Sequence, residues 1–418
     1  MSDAERLARL LARPGVRRIF AALDREGEEL RIVGGAVRDA LLGEEVGDID
    51  LASTALPEVN ARRAEKAGLK VAPTGIEHGT ITVVIDGAPF EVTTLREDVE
   101  TDGRRAKVRF GRDFAADAAR RDFTLNALSL DWRGRLHDYV GGRADLMARR
   151  VRFIGEPRRR IAEDFLRILR FFRFSACYGE DLDAEGFAAC IALRDGLETL
   201  SRERLGAETL KLLCAPRAGF VAERMAQAGL FAYLGVAPWP ARLKHLRPEG
   251  ERGDGILGLA ALALHSAGDV EILSGALRLS NAQKQRLAGA ARANAFWHGA
   301  AAPLAPASLR EALFHFGTQA ARDGLELLRA EAGAPADDAD FARARAFLRD
   351  TPPPRPPFRA ADFFARGVPQ GPALGAALKS LQALWIRAGF PSDPQTVAQL
   401  IEQACAAGED SGWTRDGR

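Results

Sequence analysis

LRIVGGAVRDALLGEEVGDIDLA, residues 30–52, passes from strand to turn to helix and back to strand within 23 residues. LRIV is a short apolar strand, Gly34-Gly35 a turn that opens a helix, Gly43 the stop of that helix, and DIDLA at 48–52 a second strand. The N–H groups of such a turn and of the first helical turn point outward with the positive end of the helix dipole behind them. Gly34 and Gly35 therefore form a cradle for a phosphate, and Arg38 adds a charged fork. Asp48 and Asp50 sit two apart in an extended segment and present both carboxylates to one side. Like charges held together repel unless a cation lies between them, and hard oxygen ligands select Mg²⁺. A phosphate cradle beside a two-carboxylate metal site within 17 residues is the equipment of nucleotidyl transfer, in which divalent ions support in-line displacement.

Upstream, residues 1–30 read as an amphipathic helix through Leu7, Leu10, Leu11, Ile19, Phe20 and Leu23. Downstream, LKVAPT (69–74), GTITVVIDG (79–87) and PFEVTTL (89–95) read as strands. A two-metal site wants a third acid, and Glu91 on the last of these is the candidate, with Asp86 as a competitor. The first 150 residues are thus mixed α/β. From about Pro157 strand signals fade and helical periodicity takes over, with breaks at GVAPWP (235–240), RPEGERGDG (247–255) and AAPLAP (301–306). TPPPRPP at 351–357 is too rich in proline for helix or central strand and predicts an extended spacer. It sets off a last helical segment, and the chain is expected to fray from Gly408.

Two further segments carry chemistry. In RRDFTLN, residues 120–126, Arg120 or Arg121 suits a phosphate, while Asp122 and Asn126, four apart on one predicted helical face, suit a ribose hydroxyl. In AEDFLRILRFFR, residues 162–173, Phe165, Leu169 and Phe172 face a core and Asp164 and Arg167 are surface neighbours three apart. A carboxylate beside a guanidinium matches the amino donor and ring-nitrogen acceptor that cytosine and adenine share, and mismatches uracil and guanine. Arg170 flanks that pair, and Arg173 lies nearly opposite Asp164 on the helical wheel.

Composition agrees with a soluble enzyme acting on polyanions. The 418 residues suffice for two or three domains. No apolar run is long enough to span a membrane, and the arginine-interrupted N-terminus does not read as a secretory signal, so no membrane role and a cytoplasmic location are expected. The four cysteines lack metal-site spacing and read as reduced core residues. Of 59 basic residues 52 are arginine, against a net charge of only +2. They cluster at 104–121 and 143–173, which are the expected polyanion surface.

Together these residues resemble the class II tRNA nucleotidyltransferase and poly(A) polymerase family, within the polymerase-β-like nucleotidyltransferases. The resemblance is dense over about residues 30–215. It rests on GGAVRDALLG with DID at 48–50, RRDFTLNAL at 120–128, HDYVGGRADL at 137–146 with Tyr139 where the family often has proline, EDFLRILRFFRF at 163–174, and SRERLGAETLKLL at 201–213. The last segment, with Asp362, Gly367 and GPALG at 371–375, resembles the family's tRNA-gripping tail.

The resemblance implies an α+β fold: a polymerase-β-like head with a mixed sheet and helices over 1–150, then an all-α neck (151–225), body (226–350) and tail (351–418). It implies template-independent addition of CCA to the tRNA 3′ end from CTP and ATP. Asp48 and Asp50 are then the Mg²⁺ ligands, with Glu91 as a further catalytic acid. Gly35 and Arg38 become nucleotide contacts, Arg120 and Arg121 phosphate or ribose ligands, Asp164 with Arg167 the reader of CTP and ATP, and Arg170 and Arg173 nucleotide- or helix-ordering arginines. Residues 97–113 fall where the family has a flexible loop implicated in switching from C to A. The alternative inside the family is a poly(A) polymerase or A-adding enzyme. Acidic Glu44 and Glu45 after LLG, and a compact tail, favour CCA addition.

Overall fold

The computed structural model describes residues 1–72, 75, 79–98, 108–247, 250–300 and 303–409. They form two compact units, residues 1–215 and 216–418.

The first unit opens with two helices, α1 (Asp3–Leu11) and α2 (Pro14–Leu23). The single helix expected over 1–30 is broken because Pro14 cannot donate its missing N–H to a preceding turn and instead starts α2 at its first position. The strand–turn–helix–strand reading is realised as β1 (Leu30–Val33), α3 (Gly35–Leu42) and β2 (Ile49–Ser53), with Gly43 in the left-handed region closing α3. Helix α4 (Pro57–Lys66) leads to β3 (Lys70–Ala72), β4 (Thr80–Ile85) and β5 (Ala88–Thr94). A short ribbon, β6 (Arg96–Asp98) with β7 (Val108–Phe110), precedes α5 (Phe114–Ala119), and the two-residue strands β8 (Ser129–Leu130) and β9 (Leu136–His137) complete the sheet.

The main sheet runs β3-β4-β5-β2-β1-β8-β9 and is mixed, since β2 pairs in parallel with β5 while its other neighbours are antiparallel. The register sets Asp50 directly beside Glu91. β8, β9 and the ribbon were not foreseen, because pieces of two or three residues carry no usable alternation. Most of the loop expected over 97–113 lies outside the described residues.

Helices α6 (Gly142–Met147), α7 (Pro157–Glu163), α8 (Leu166–Tyr178), α9 (Ala184–Ala192) and α10 (Arg202–Leu213) finish this unit. Phe123 meets Phe153, Phe171 and Phe174 at ring-centroid distances of 4.8, 6.3 and 5.3 Å, so an aromatic core fastens the segment after α5 to α8. Gly142 is required by contact: a Cβ there would fall 2.1 Å from the Thr124 carbonyl oxygen.

The second unit contains α11 (Ala218–Gln227), α12 (Pro240–Leu246), α13 (Gly255–Ala263), α14 (Asp269–Leu277), α15 (Asn281–His298), α16 (Pro306–Glu331), α17 (Ala339–Asp350), α18 (Ala360–Phe364), α19 (Pro372–Arg387) and α20 (Pro394–Glu409). As expected, no strand occurs among its described residues. One core gathers around Trp297, Leu313 and Leu325, another around Phe363, Leu381, Trp385 and Ile401. Residues 352–356 of the proline-rich segment are neither helix nor strand. Helix α20 persists to Glu409, past the expected fraying point, and the residues beyond it are not among those described. The boundary at 215/216 falls ten residues before the expected neck–body division at 225/226.

Candidate active site

A cleft of about 570 Å³ in the first unit gathers residues from the stretches at 30–52, 120–126, 163–174 and 201–213. Gly34 and Gly35 come from the β1–α3 turn, Arg38 from α3 and Asp50 from β2. Arg120, Arg121, Asp122 and Asn126 follow α5, and Asp164, Arg167, Arg170 and Arg173 lie at the α7–α8 junction and along α8. Of the fourteen expected site residues only Asp48 and Glu91 are not in its lining; Asp48 lies two residues before Asp50, just ahead of β2, and Glu91 pairs with Asp50 across the sheet.

Asp48 and Asp50 are exposed on either side of buried Ile49, as strand alternation requires. Glu91, also exposed, is the cross-strand neighbour of Asp50. Crowding by the protein, and then the charges of Glu91 and Asp48, push the Asp50 carboxyl above its ordinary value, against the opposing pull of Arg121. Asp86 is removed from contention: it sits in the β4–β5 turn and pairs with Arg18 of α2 at 2.9 Å. No group of three metal-ligating side chains among the described residues closes on a common point. The donor set of hard carboxylate oxygens with unrelieved mutual repulsion nevertheless suits Mg²⁺, which ordinarily takes one or two carboxylates and completes its shell with substrate phosphate and water.

Gly34 has φ +70°, and a Cβ there would approach Arg121 Nη1 to 3.1 Å, so the turn both needs glycine and lets Arg121 close over it. Arg120 and Arg121 are held by one buried carboxylate, Asp117: Arg120 Nε donates to its Oδ1 at 2.9 Å and Arg121 Nη2 to its Oδ2 at 3.1 Å. Their remaining N–H groups face the cleft-lining side of the turn, and Arg121 Nη1 also donates to the Asn126 carbonyl at 3.3 Å.

Asp122 and Asn126 do not share a helical face. Helix α5 ends before them, Phe123 bridges to Phe153, and a single 3₁₀ turn covers 124–126. They still meet, since Asn126 Nδ2 donates to Asp122 Oδ1 at 3.1 Å, and both line the cleft as parts of a buried network. Arg38 Nη1 donates to Asn126 Oδ1 at 2.6 Å and Arg38 Nε to Asp39 at 2.8 Å, with its guanidinium 4.1 Å from the centre of the Tyr178 ring. Burial pushes the Tyr178 hydroxyl up to about 12, although the charge of Arg38 acts in the other direction.

The expected helix over 162–173 is broken in the middle. Asp164 is extended (φ −158°, ψ 106°), its Oδ1 accepts the Leu166 N–H at 3.1 Å, and α8 starts anew at Leu166. A short carboxylate that caps its own backbone competes with helix continuation, which is why the break falls at the aspartate. Phe165 turns to pack over Gly196, where a Cβ would fall 2.0 Å from its ring. Asp164 and Arg167 are therefore brought to one cleft by a turn and not by helical spacing. They bond through the backbone, the Arg167 N–H donating to the Asp164 carbonyl at 3.0 Å, while their side chains turn to other partners: Asp164 Oδ2 accepts from Arg204 Nη2 at 2.8 Å, and Arg167 Nη1 donates to Glu163 at 2.6 Å. Arg170 pairs with Asp122, and Arg173 with buried Glu208 of α10.

Sequence reasoning missed Arg204, Asp117 and Glu208. Asp117 carries a signal in hindsight, lying three and four residues before Arg120 and Arg121. Arg204 and Glu208, four apart in SRERLGAETLKLL, lie on one face of α10 and meet α8 only through the fold.

Residues 30–152 match the family described as the poly A polymerase head domain, and residues 181–237 the one described as a probable RNA and SrmB-binding site of polymerase A. The mitochondrial CCA tRNA nucleotidyltransferase 1 of Danio rerio is 40% identical over 265 residues, 61% of each chain. The CCA-adding enzyme of Streptococcus pyogenes is 41% identical over 233 residues, 54% of this chain and 56% of that one. The matched stretch thus spans about three fifths of the length of such curated relatives. The crystal structure of Bacillus stearothermophilus CCA-adding enzyme in complex with CTP is 28% identical, with a TM-score of 0.74 over 95% of this chain and 100% of that chain.

Proposed function

We propose that the chain is a member of the tRNA nucleotidyltransferase and poly(A) polymerase family, which its head-domain match and its likeness to a CCA-adding enzyme structure support, and that it adds CCA to the 3′ end of tRNA from CTP and ATP without a nucleic-acid template. The observation that carries this reading is the convergence of an acidic edge, a glycine turn and an arginine-lined wall on one cleft large enough for a nucleotide.

In this mechanism the Gly34-Gly35 turn and the free N–H groups of Arg120 and Arg121 hold the triphosphate. Asp48 and Asp50 would hold Mg²⁺, which would supply charge neutralisation at the phosphates and activation of the 3′ hydroxyl, with Glu91 beside Asp50 as a further acid. Asp164 accepts the exocyclic amino group of cytosine or adenine, and Arg167 donates to the adjacent ring nitrogen. Both bases offer that pattern, whereas uracil and guanine would set carbonyl against carboxylate. Arg204 orients Asp164 for this purpose and Glu163 orients Arg167. Arg38, Asp122, Asn126 and Arg170 act one step back, as the network that fixes the nucleotide-facing arginines.

The helical neck, body and tail divisions at 151–225, 226–350 and 351–418 are proposed to carry the acceptor-side arm of tRNA by shape and phosphate contacts, so affinity falls as salt rises. No helix among the described residues is long and apolar enough to cross a membrane. The cysteines form no disulfide, in keeping with a reducing compartment, and the cytoplasm is the location proposed.

The deciding experiment offers labelled CTP or ATP, with Mg²⁺, to tRNA transcripts lacking three, two or one of the terminal nucleotides. Two C additions and then one A establish the proposal. Repeated A addition to any RNA end makes the protein a poly(A) polymerase, and A addition alone on transcripts ending in CC makes it an A-adding enzyme.

A further inference from the structure

The second unit holds its own cavity, of about 360 Å³ and mostly apolar in lining with a few polar groups converging on it, within the size range of small-ligand pockets. Trp239 at the start of α12, Arg242 within it, His265 after α13, Asn294 and His298 on α15, and Glu331 at the end of α16 supply its chemistry. Arg242 is 2% exposed. Its Nε and Nη2 donate to the carbonyls of Ala261 and Ala260, at 2.7 and 2.5 Å, and its Nη1 donates to Glu331 Oε1 at 2.6 Å. A buried ion pair adds little net stability over an apolar pair of the same shape, so its use lies in what it orients.

What it orients is the Asn294 amide. Glu331 Oε2 accepts from His298 Nε2 at 2.6 Å and from Asn294 Nδ2 at 3.3 Å. A carboxylate only accepts, so the amide is obliged to turn its NH₂ toward it. The Asn294 carbonyl oxygen and second N–H are left with no hydrogen-bond partner among the described residues, an acceptor and a donor side by side. That is the edge with which an asparagine reads a base amino group beside a ring nitrogen. Trp239 lines one side: Arg242 lies 4.6 Å from its ring centre and the His265 ring is parallel to it within 4° at 5.9 Å, and the 37% of the residue that stays exposed is the surface left for a base. Aromatic surface of this kind stacks bases of any identity.

We propose that this cavity binds a nucleobase, stacked on Trp239 and hydrogen-bonded to the Asn294 amide, presented by an RNA strand or by a free nucleotide. The RNA source rests on the tRNA reading above; the base assignment does not.

The test uses the full chain and two probes, adenosine and a tRNA transcript. Adenosine is titrated against tryptophan fluorescence, and the Trp239 signal is isolated as the difference between the wild type and Trp239→Phe. The tRNA is measured by filter binding to wild type, Trp239→Phe and Asn294→Leu, each shown folded by its thermal transition. Quenching by adenosine that vanishes in Trp239→Phe and weakens roughly tenfold in Asn294→Leu, the loss expected for a bidentate base contact, supports the site. A parallel tenfold loss of tRNA affinity identifies an RNA base as the occupant, and unchanged tRNA affinity identifies a free nucleotide. Absence of Trp239 quenching together with tRNA affinities equal in all three proteins overturns the proposal. A wild type that binds no tRNA at all defeats the tRNA reading instead, and leaves the adenosine result to decide this one.

Discussion

Arg170 on α8 donates to Asp122 Oδ2 through Nε at 2.7 Å, with Nη2 2.5 Å from the same oxygen, and so ties the helix that follows the Asp164 turn to the segment that carries Arg120 and Arg121. Burial pushes the Asp122 carboxyl up. The charge of Arg170, with hydrogen bonds from Asn126, Arg170 and the Phe123 N–H, more than offsets it and holds the group below the usual carboxylate range.

Replacing Arg170 with Met should therefore destabilise the protein by about 3 kcal/mol at pH 7, the low end for orphaning a buried charge because Arg170 is itself partly exposed. A depressed carboxyl contributes stability that is present above its unfolded pKa of roughly 4 and is lost as pH falls through its folded value. Without its partner the carboxyl is raised instead, so the deficit of Arg170→Met should shrink between pH 7 and pH 4. Urea denaturation at both pH values measures it, and a deficit that does not change with pH would show that the pair is not the cause.

Asp50 is the opposite case. Its raised carboxyl costs the ligand-free protein stability at neutral pH, because a carboxyl raised above its unfolded value stabilises only while protonated. Glu91→Gln should lower the Asp50 pKa, visible by carboxyl-carbon NMR, and should raise the ligand-free melting temperature slightly. It should also reduce the additional rise that Mg²⁺ with a non-hydrolysable CTP analogue produces. An unaltered Asp50 titration would mean that Glu91 does not act on this site.

At the base-reading turn, Asp164→Ala is expected to reduce discrimination between CTP and UTP by roughly tenfold or more, since one directional hydrogen-bond match is removed. Chemistry with CTP should slow less. Arg204→Leu should move selectivity in the same direction by a smaller factor, with a stability change under about 1 kcal/mol because the Arg204–Asp164 pair is largely solvent-accessible. Single-turnover incorporation of each nucleotide separates these effects. Full selectivity in both variants would remove Asp164 from base recognition.

Gly34→Ala places a side chain at φ +70° and a methyl 3.1 Å from Arg121 Nη1. The strain should lower stability by about 1–2 kcal/mol. Displacement of Arg121 should raise KM for the nucleotide more than it lowers kcat. A variant with wild-type KM would mean that neither the turn nor Arg121 touches the triphosphate.

Most residues of the candidate site could be read from the sequence because they lie in short segments whose geometry is local. A strand at 30–33, a glycine turn, an eight-residue helix closed by Gly43 and an Asp-Ile-Asp strand obey period and turn chemistry within one stretch of chain. The helical second half was legible for the same reason.

Tertiary structure decided how those segments are joined. The parallel register of β2 with β5 alone sets Glu91 beside Asp50. Periodicity over 162–173 reads as one helix, yet the Asp164 carboxylate takes a backbone N–H of its own and Phe165 packs on Gly196, a residue 31 positions later. Arg38 and Asp122, read as nucleotide ligands, line the cleft and also bind Asn126 and Arg170, partners that no local pattern announces. A side chain's partners depend on which distant residues the core brings within about 3 Å, and no pattern local to the chain encodes that distance.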